Sequence, residues 1–165
     1  MKNLTISLLF AATSMGALAQ SNGSAVLPHY IFSGSDKSNT FIYLTNTTDS
    51  MLEVEVTFRT DVGAILYDDG NVIGGNIEIW NTLFEDEPTS GPGPSAILTL
   101  RGRSTSLIKL KSIAVNNSAS GIATISWTSP ENVTEALISH ARVTRKEGTT
   151  SESSYAVQVN GGKAF

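Results

Sequence analysis

The chain has 165 residues, 15 Asp and Glu against 11 Lys and Arg for a net charge of −4, and no cysteine. A sequence pI near 5.1 leaves no basic footprint for nucleic acid or an anionic membrane surface, because neutralisation of phosphates by Lys and Arg supplies most of that affinity. The lack of cysteine excludes a disulfide framework, a thiol nucleophile, an acylated lipoprotein cysteine and a thiolate zinc site.

Residues 1–19 carry one charge, Lys2, an apolar run over 4–12, and Ala17-Leu18-Ala19 before Gln20. A short apolar run followed by small residues in an A-x-A pattern is the mark of a secretory signal peptide cleaved after Ala19, and the run is too short for a membrane helix. Residues 20–165 then have the length of a single domain, large enough to be stable without disulfides or a structural metal. The expected localisation is exported, in the periplasm, at the cell surface or outside the cell, by a bacterial route and with no membrane span after cleavage.

Residues 25–32 predict a first strand, in which Pro28 cannot donate to a ladder and belongs at an edge or bulge. Over 40–60 the chain reads as a hairpin. Its second half alternates, with Leu52, Val54, Val56 and Phe58 on one side and Glu53, Glu55, Thr57 and Arg59 on the other, the period-2 pattern of a half-buried strand. Its first half, Phe41-Ile42-Tyr43-Leu44, is apolar on both sides, and the polar run 46–50 suits a turn. A short strand over 64–67 would make three consecutive neighbouring strands.

Segment 68–94 is long and irregular, rich in Gly and Pro, with the acidic run Glu85-Asp86-Glu87 and an apolar middle around Trp80. Connections of that length are usually functional or disordered. Short strands resume at 95–100 and 106–110, joined at Arg101-Gly102-Arg103. A turn-rich link over 113–121 leads to strands at 122–127, 133–145 and 154–159. About eight to ten strands without helical periodicity define an all-β fold, which buries its alternating faces as an antiparallel two-sheet β-sandwich, immunoglobulin-like or jelly-roll, or as a small closed β-barrel.

Four pieces carry a resemblance: residues 40–48 (TFIYLTNTT), 121–127 (GIATISW), 136–143 (ALISHARV) and 155–165 (YAVQVNGGKAF). Together they resemble a group of exported bacterial β-sandwich proteins of uncharacterised function, with Ala164 standing where that group has proline. The resemblance implies a fold and an export route, and it assigns no activity to any residue.

Catalytic motifs are absent from the sequence. There is no G-x-S-x-G elbow, and the only histidines are His29 and His140, so a Ser-His-Asp triad would have to use one of them. His140 shares a predicted strand face with Ala136 and Ile138, the setting of a semi-buried structural histidine. Two separated histidines cannot make a zinc site. Asp68, Asp69, Glu85, Asp86 and Glu87 supply the hard oxygens calcium takes, at spacings that match no calcium-loop pattern, so no cofactor is expected beyond that one candidate. Trp80, Trp127 and Tyr43 are candidates for stacking on a sugar or a partner surface. Trp127 shares its face with Ile125 and Ala123 and is expected in the core, which leaves Trp80 as the exposed candidate. The expected function is a non-enzymatic binding or assembly module with a protein or surface-glycan partner. The alternative is a secreted carbohydrate-binding accessory or hydrolase using 68–94. If 77–83 is instead a further strand, Trp80 is structural.

Overall fold

The computed structural model describes residues 20–34, 37–66, 77–80, 94–110, 118–147 and 151–165. Among these run nine strands: β1 (Ser21–Ser33), β2 (Ser38–Asn46), β3 (Leu52–Thr60), β4 (Ile77–Trp80), β5 (Ala96–Leu100), β6 (Thr105–Leu110), β7 (Ser118–Ser129), β8 (Leu137–Glu147) and β9 (Ser151–Gln158), followed by a 3-10 turn at Asn160–Gly162. All pairings are antiparallel, in one connected sheet that does not close on itself. No helix among the described residues is long and apolar enough to cross a membrane.

The pairing sorts β1 to β8 by parity, and β9 joins the even-numbered strands. β7 lies between β1 and β3, and β3 pairs onward with β5. β2 lies between β6 and β8, which pair onward with β4 and β9. The odd ladder and the even ladder touch at one register pair, Ser33 with Ser38. Just beyond it the side chain of Thr40 stands in for the diverging backbone: its hydroxyl accepts from the Ile31 N–H at 3.0 Å and donates to the Ile31 carbonyl at 2.8 Å.

The hairpin expected over 40–60 therefore does not form, because β2 and β3 belong to different ladders. The reason lies in Asn46, which is 1% exposed. Its Nδ2 donates to the carbonyls of Ser50 at 2.7 Å and Arg101 at 3.0 Å, and its Oδ1 accepts from the N–H of Thr48 at 2.9 Å and the Thr48 hydroxyl at 2.8 Å. The backbone on either side is bound to other turns: the Thr47 N–H donates to Ala136 O at 2.9 Å and the Arg103 N–H to Thr48 O at 2.8 Å. The Ser50 hydroxyl donates to Glu131. Residues that suit a local turn are used to tie three turns together. Gly102 is required there, since a Cβ on it would lie 2.2 Å from the Asp49 carbonyl oxygen. Outside this knot the Arg103 guanidinium grips Asp49 at 2.9 Å and holds its carboxyl below the usual range, first through the hydrogen bond and then through charge.

Other expectations shift in detail. The strand at 64–66 reduces to a single bridge between Ile65 and Arg59, and Tyr67 lies outside the described residues. β8 starts at Leu137 rather than 133, with Glu135 at a φ of 50° interrupting extension just before it. Residues 118–121, expected in a link, belong to β7. Pro28 falls where the β1–β7 register shifts, between Leu27 and Tyr30, the bulge that its missing N–H demands.

Both ladders contribute to one core. Leu52, Val54, Val56 and Phe58 of β3 are fully buried beside Leu27, Tyr30 and Phe32 of β1 and Ile42 and Leu44 of β2. Tyr30 packs edge-on to Phe58 at 5.4 Å, and its hydroxyl has no partner among the described residues. Burial, with the Asp61 carboxylate as a second cause, pushes its phenol up to about 12. Trp127 is 2% exposed, as a core residue should be. Its Nε1 donates to Phe165 O at 2.6 Å. Phe165 reaches that position because Asn160, Gly161 and Gly162 take φ values of 48°, 61° and 78°, a left-handed run that Gly and Asn enter at least cost. The chain then returns to pair Phe165 with Leu137 through bonds of 3.0 and 3.2 Å.

Candidate functional site

Alternation in β2 turns Ile42 and Leu44 into the core and leaves Phe41 and Tyr43 half-buried on the opposite, outward side. Both edges of β2 are occupied, so register decides what surrounds these rings. Tyr43 stands between Leu107 of β6 and His140 of β8, and Phe41 between Lys109 and Arg142. His140 continues to Gln158 and Arg142 to Ala156 on β9. Tyr43 and His140 stack with centroids 4.8 Å apart and planes at 9°. Arg142 holds its guanidinium carbon 5.1 Å, and Lys109 its Nζ 5.7 Å, from the Phe41 ring centre. These are cation–π distances, worth roughly 0.5–1 kcal/mol each at an exposed site.

Beside the rings is a depression of ≈ 250 Å³ lined by Asn39, Phe41, Lys109, Arg142, Thr144, Lys146 and Glu152. Three cations and one carboxylate border it, on a protein of net charge −4. A larger hollow of ≈ 530 Å³ at the same, N-terminal end of β2, bordered by Ser33, Ser38, Asp61, Ser118, Ser120 and Arg145, has no aromatic ring from β2 or β8.

His140 is thus exposed on a stacked face rather than semi-buried, and Ala136, expected on its strand face, precedes β8. Of the residues singled out in 68–94, Trp80 ends β4, so part of that segment is regular strand, and its register partner is Leu107. Asp68, Asp69, Glu85, Asp86 and Glu87 lie outside the described residues. Among the described residues no group of three or more His, Cys, Asp or Glu could hold a metal ion. Phe41, Lys109, Arg142 and the partner of Tyr43 were not legible as a group, since they come from three strands. One signal was present: a strand apolar on both sides either is covered on both or displays a sticky face.

No protein-family model matches the sequence, and no curated protein matches it. The crystal structure of Thermotoga maritima 1070 is similar with a TM-score of 0.42 and 11% sequence identity, over 85% of this chain and 96% of that one.

Proposed function

We propose that this is an exported, non-enzymatic binding or assembly module, built as two antiparallel sheets packed face to face, that meets its partner through the outward side of β6, β2 and β8. The sandwich reading is supported by the two ladders, which share one core yet join at a single residue pair. It is also supported by the His29 and Tyr155 rings, which approach to 6.2 Å between strands of different ladders. Export is supported by the signal-like segment before Gln20.

The observation that carries the binding reading is the aromatic and cationic row on the outward side of β2, whose inward residues Ile42 and Leu44 already supply the core. Aromatic rings give large contact area at little conformational cost, and Arg is enriched wherever proteins bind. The test is to express the full chain in bacteria and measure the exported product. Its intact mass should begin at Gln20, and a fraction should sediment with cell-envelope fragments. Tyr43→Ala should release that fraction while the protein still folds, its stability lowered by no more than about 1 kcal/mol, the worth of the stack on His140. Retention unchanged by Tyr43→Ala refutes the face as the binding surface.

The second reading, a carbohydrate-binding accessory or hydrolase working through 68–94, draws on β4, whose register sets Trp80 opposite Leu107, the neighbour of Tyr43. Trp80→Ala releasing the protein when Tyr43→Ala does not would favour it.

A further inference from the structure

We infer that the depression beside Phe41 takes a carboxylate-bearing sugar, so that the partner of this face is an acidic polysaccharide. The inference rests on the reading of this face as a binding surface and adds the chemistry of what it holds. Of the three cations, Arg142 has no carboxylate among its register partners. Its β9 partner is Ala156, whereas Lys146 stands opposite Glu152 and Lys109 opposite Glu78 in register. A guanidinium held over a ring keeps its N–H edge free for a carboxylate.

Asn39 supplies the second element. It is 7% exposed, lines the depression, and its Oδ1 has no partner among the described residues. A buried amide left unpaired is costly, and rotation of its terminal torsion offers either a carbonyl acceptor or an N–H donor. A sugar bearing both hydroxyls and a carboxylate answers Asn39, Thr144 and Arg142 together. The rings beside the depression offer flat apolar area to a sugar's C–H face.

An acidic polypeptide is the competing class. Peptides gain much of their affinity at sheets by adding a strand to an open edge. β2 has no open edge, because β6 and β8 occupy both, and the far edge of β9, unpaired among the described residues, lies two strands from Phe41, so a peptide seated over Phe41 and Arg142 would have side-chain contacts alone. The geometry favours the sugar.

The test measures binding of the full-length exported protein to polygalacturonate, dextran and poly-L-glutamate by calorimetry. Polygalacturonate should bind, more weakly as salt rises, and dextran should not. Arg142→Gln should weaken polygalacturonate roughly tenfold, the loss of one charge-assisted contact. Arg142→Lys should recover part of it, and Glu152→Gln should strengthen binding. A urea midpoint for each variant separates unfolding from lost binding. Equal affinity for poly-L-glutamate overturns the sugar assignment in favour of an acidic polypeptide, and equal affinity for dextran overturns the role of charge. If polygalacturonate is not bound but Tyr43→Ala still releases the protein from envelope fragments, the acidic-sugar inference alone fails. If Tyr43→Ala releases nothing either, both readings fail.

Discussion

The two ladders bury the same kind of side chain and show the solvent different ones. Across the odd ladder the outward rows run Thr99, Glu53, Thr128, Asn22 and then Ile97, Glu55, Ser126, Ser24. Across the even ladder they run Leu107, Tyr43, His140, Gln158 and then Lys109, Phe41, Arg142, Ala156. The first surface is mostly hydroxyl and carboxylate, which water solvates well, with single aliphatic side chains such as Val26 and Ile122 between them and no aromatic ring in these rows. The second is centred on ring and cation, which hold one another in place and leave Phe41 and Tyr43 partly reachable. Alternation alone tells which side of a strand is inside. What the outer side is for depends on which strands stand beside it.

The largest expected effect tests the inner half of that contrast. Val56 is fully buried, in register with Ala96 and Ile125, so Val56→Asp would bury a carboxylate without a partner and prevent folding or cost several kcal/mol, roughly 4 or more. On the same strand Glu53→Lys should stay within about 0.5 kcal/mol. Similar losses in urea denaturation would abolish the distinction between the two sides.

Next comes the knot that makes the two faces parts of one body. Asn46→Ala removes an amide that bonds Thr48 and Ser50 to Arg101, and should cost about 2–4 kcal/mol in a single unfolding transition. A loss below about 1 kcal/mol would mean that the ladders are coupled by the core alone.

Tyr30 probes how dry the odd ladder is on its inner side. Its phenol ionises near 10 in an unfolded chain and near 12 when folded, so its contribution is fully present below pH 10 and is lost as pH rises through 12. The decline should be on the order of 2 kcal/mol. Tyr30→Phe should flatten the profile above pH 10 and leave neutral stability equal or higher, because the hydroxyl has no partner among the described residues. An unchanged alkaline profile would show that another group governs it.

The smallest effect compares the two outward faces directly. Tyr43→Ala should cost about 1 kcal/mol through loss of its stack on His140, and Thr124→Ala on the odd ladder no more than about 0.5 kcal/mol. Matching thermal midpoints would indicate that the even face is as loosely organised as the odd one.

Strand positions, the buried side of β3 and the bulge at Pro28 were legible because each follows from local physics: side-chain period, burial and a missing N–H. Pairing was not. Residues 46–50 read equally well as a hairpin turn and as a crossing between ladders, and the difference lies in carbonyl acceptors at Arg101 and Ala136, far along the chain. The same distance hid the candidate site. Tyr43 could be suspected of stacking, but His140 meets it only through the β2–β8 register, and Arg142 and Lys109 converge on Phe41 from opposite sides.

The parity of the strands also governs the order in which the fold can be made. Ser21 of β1 waits for Ser129 of β7, and Asn46 of β2 waits for Leu137 of β8, so a chain emerging from its N-terminus finds almost no partner near at hand. β8 and β9, joined by a short connection, form the one extensive ladder between consecutive strands. Distant pairings must close long loops before any contact compensates, which places such topologies among the slow folders, in milliseconds to seconds. A nascent molecule of this kind has only β5 and β6 to pair extensively with earlier strands until β7 is made, and β2 waits longer still for its second neighbour, β8.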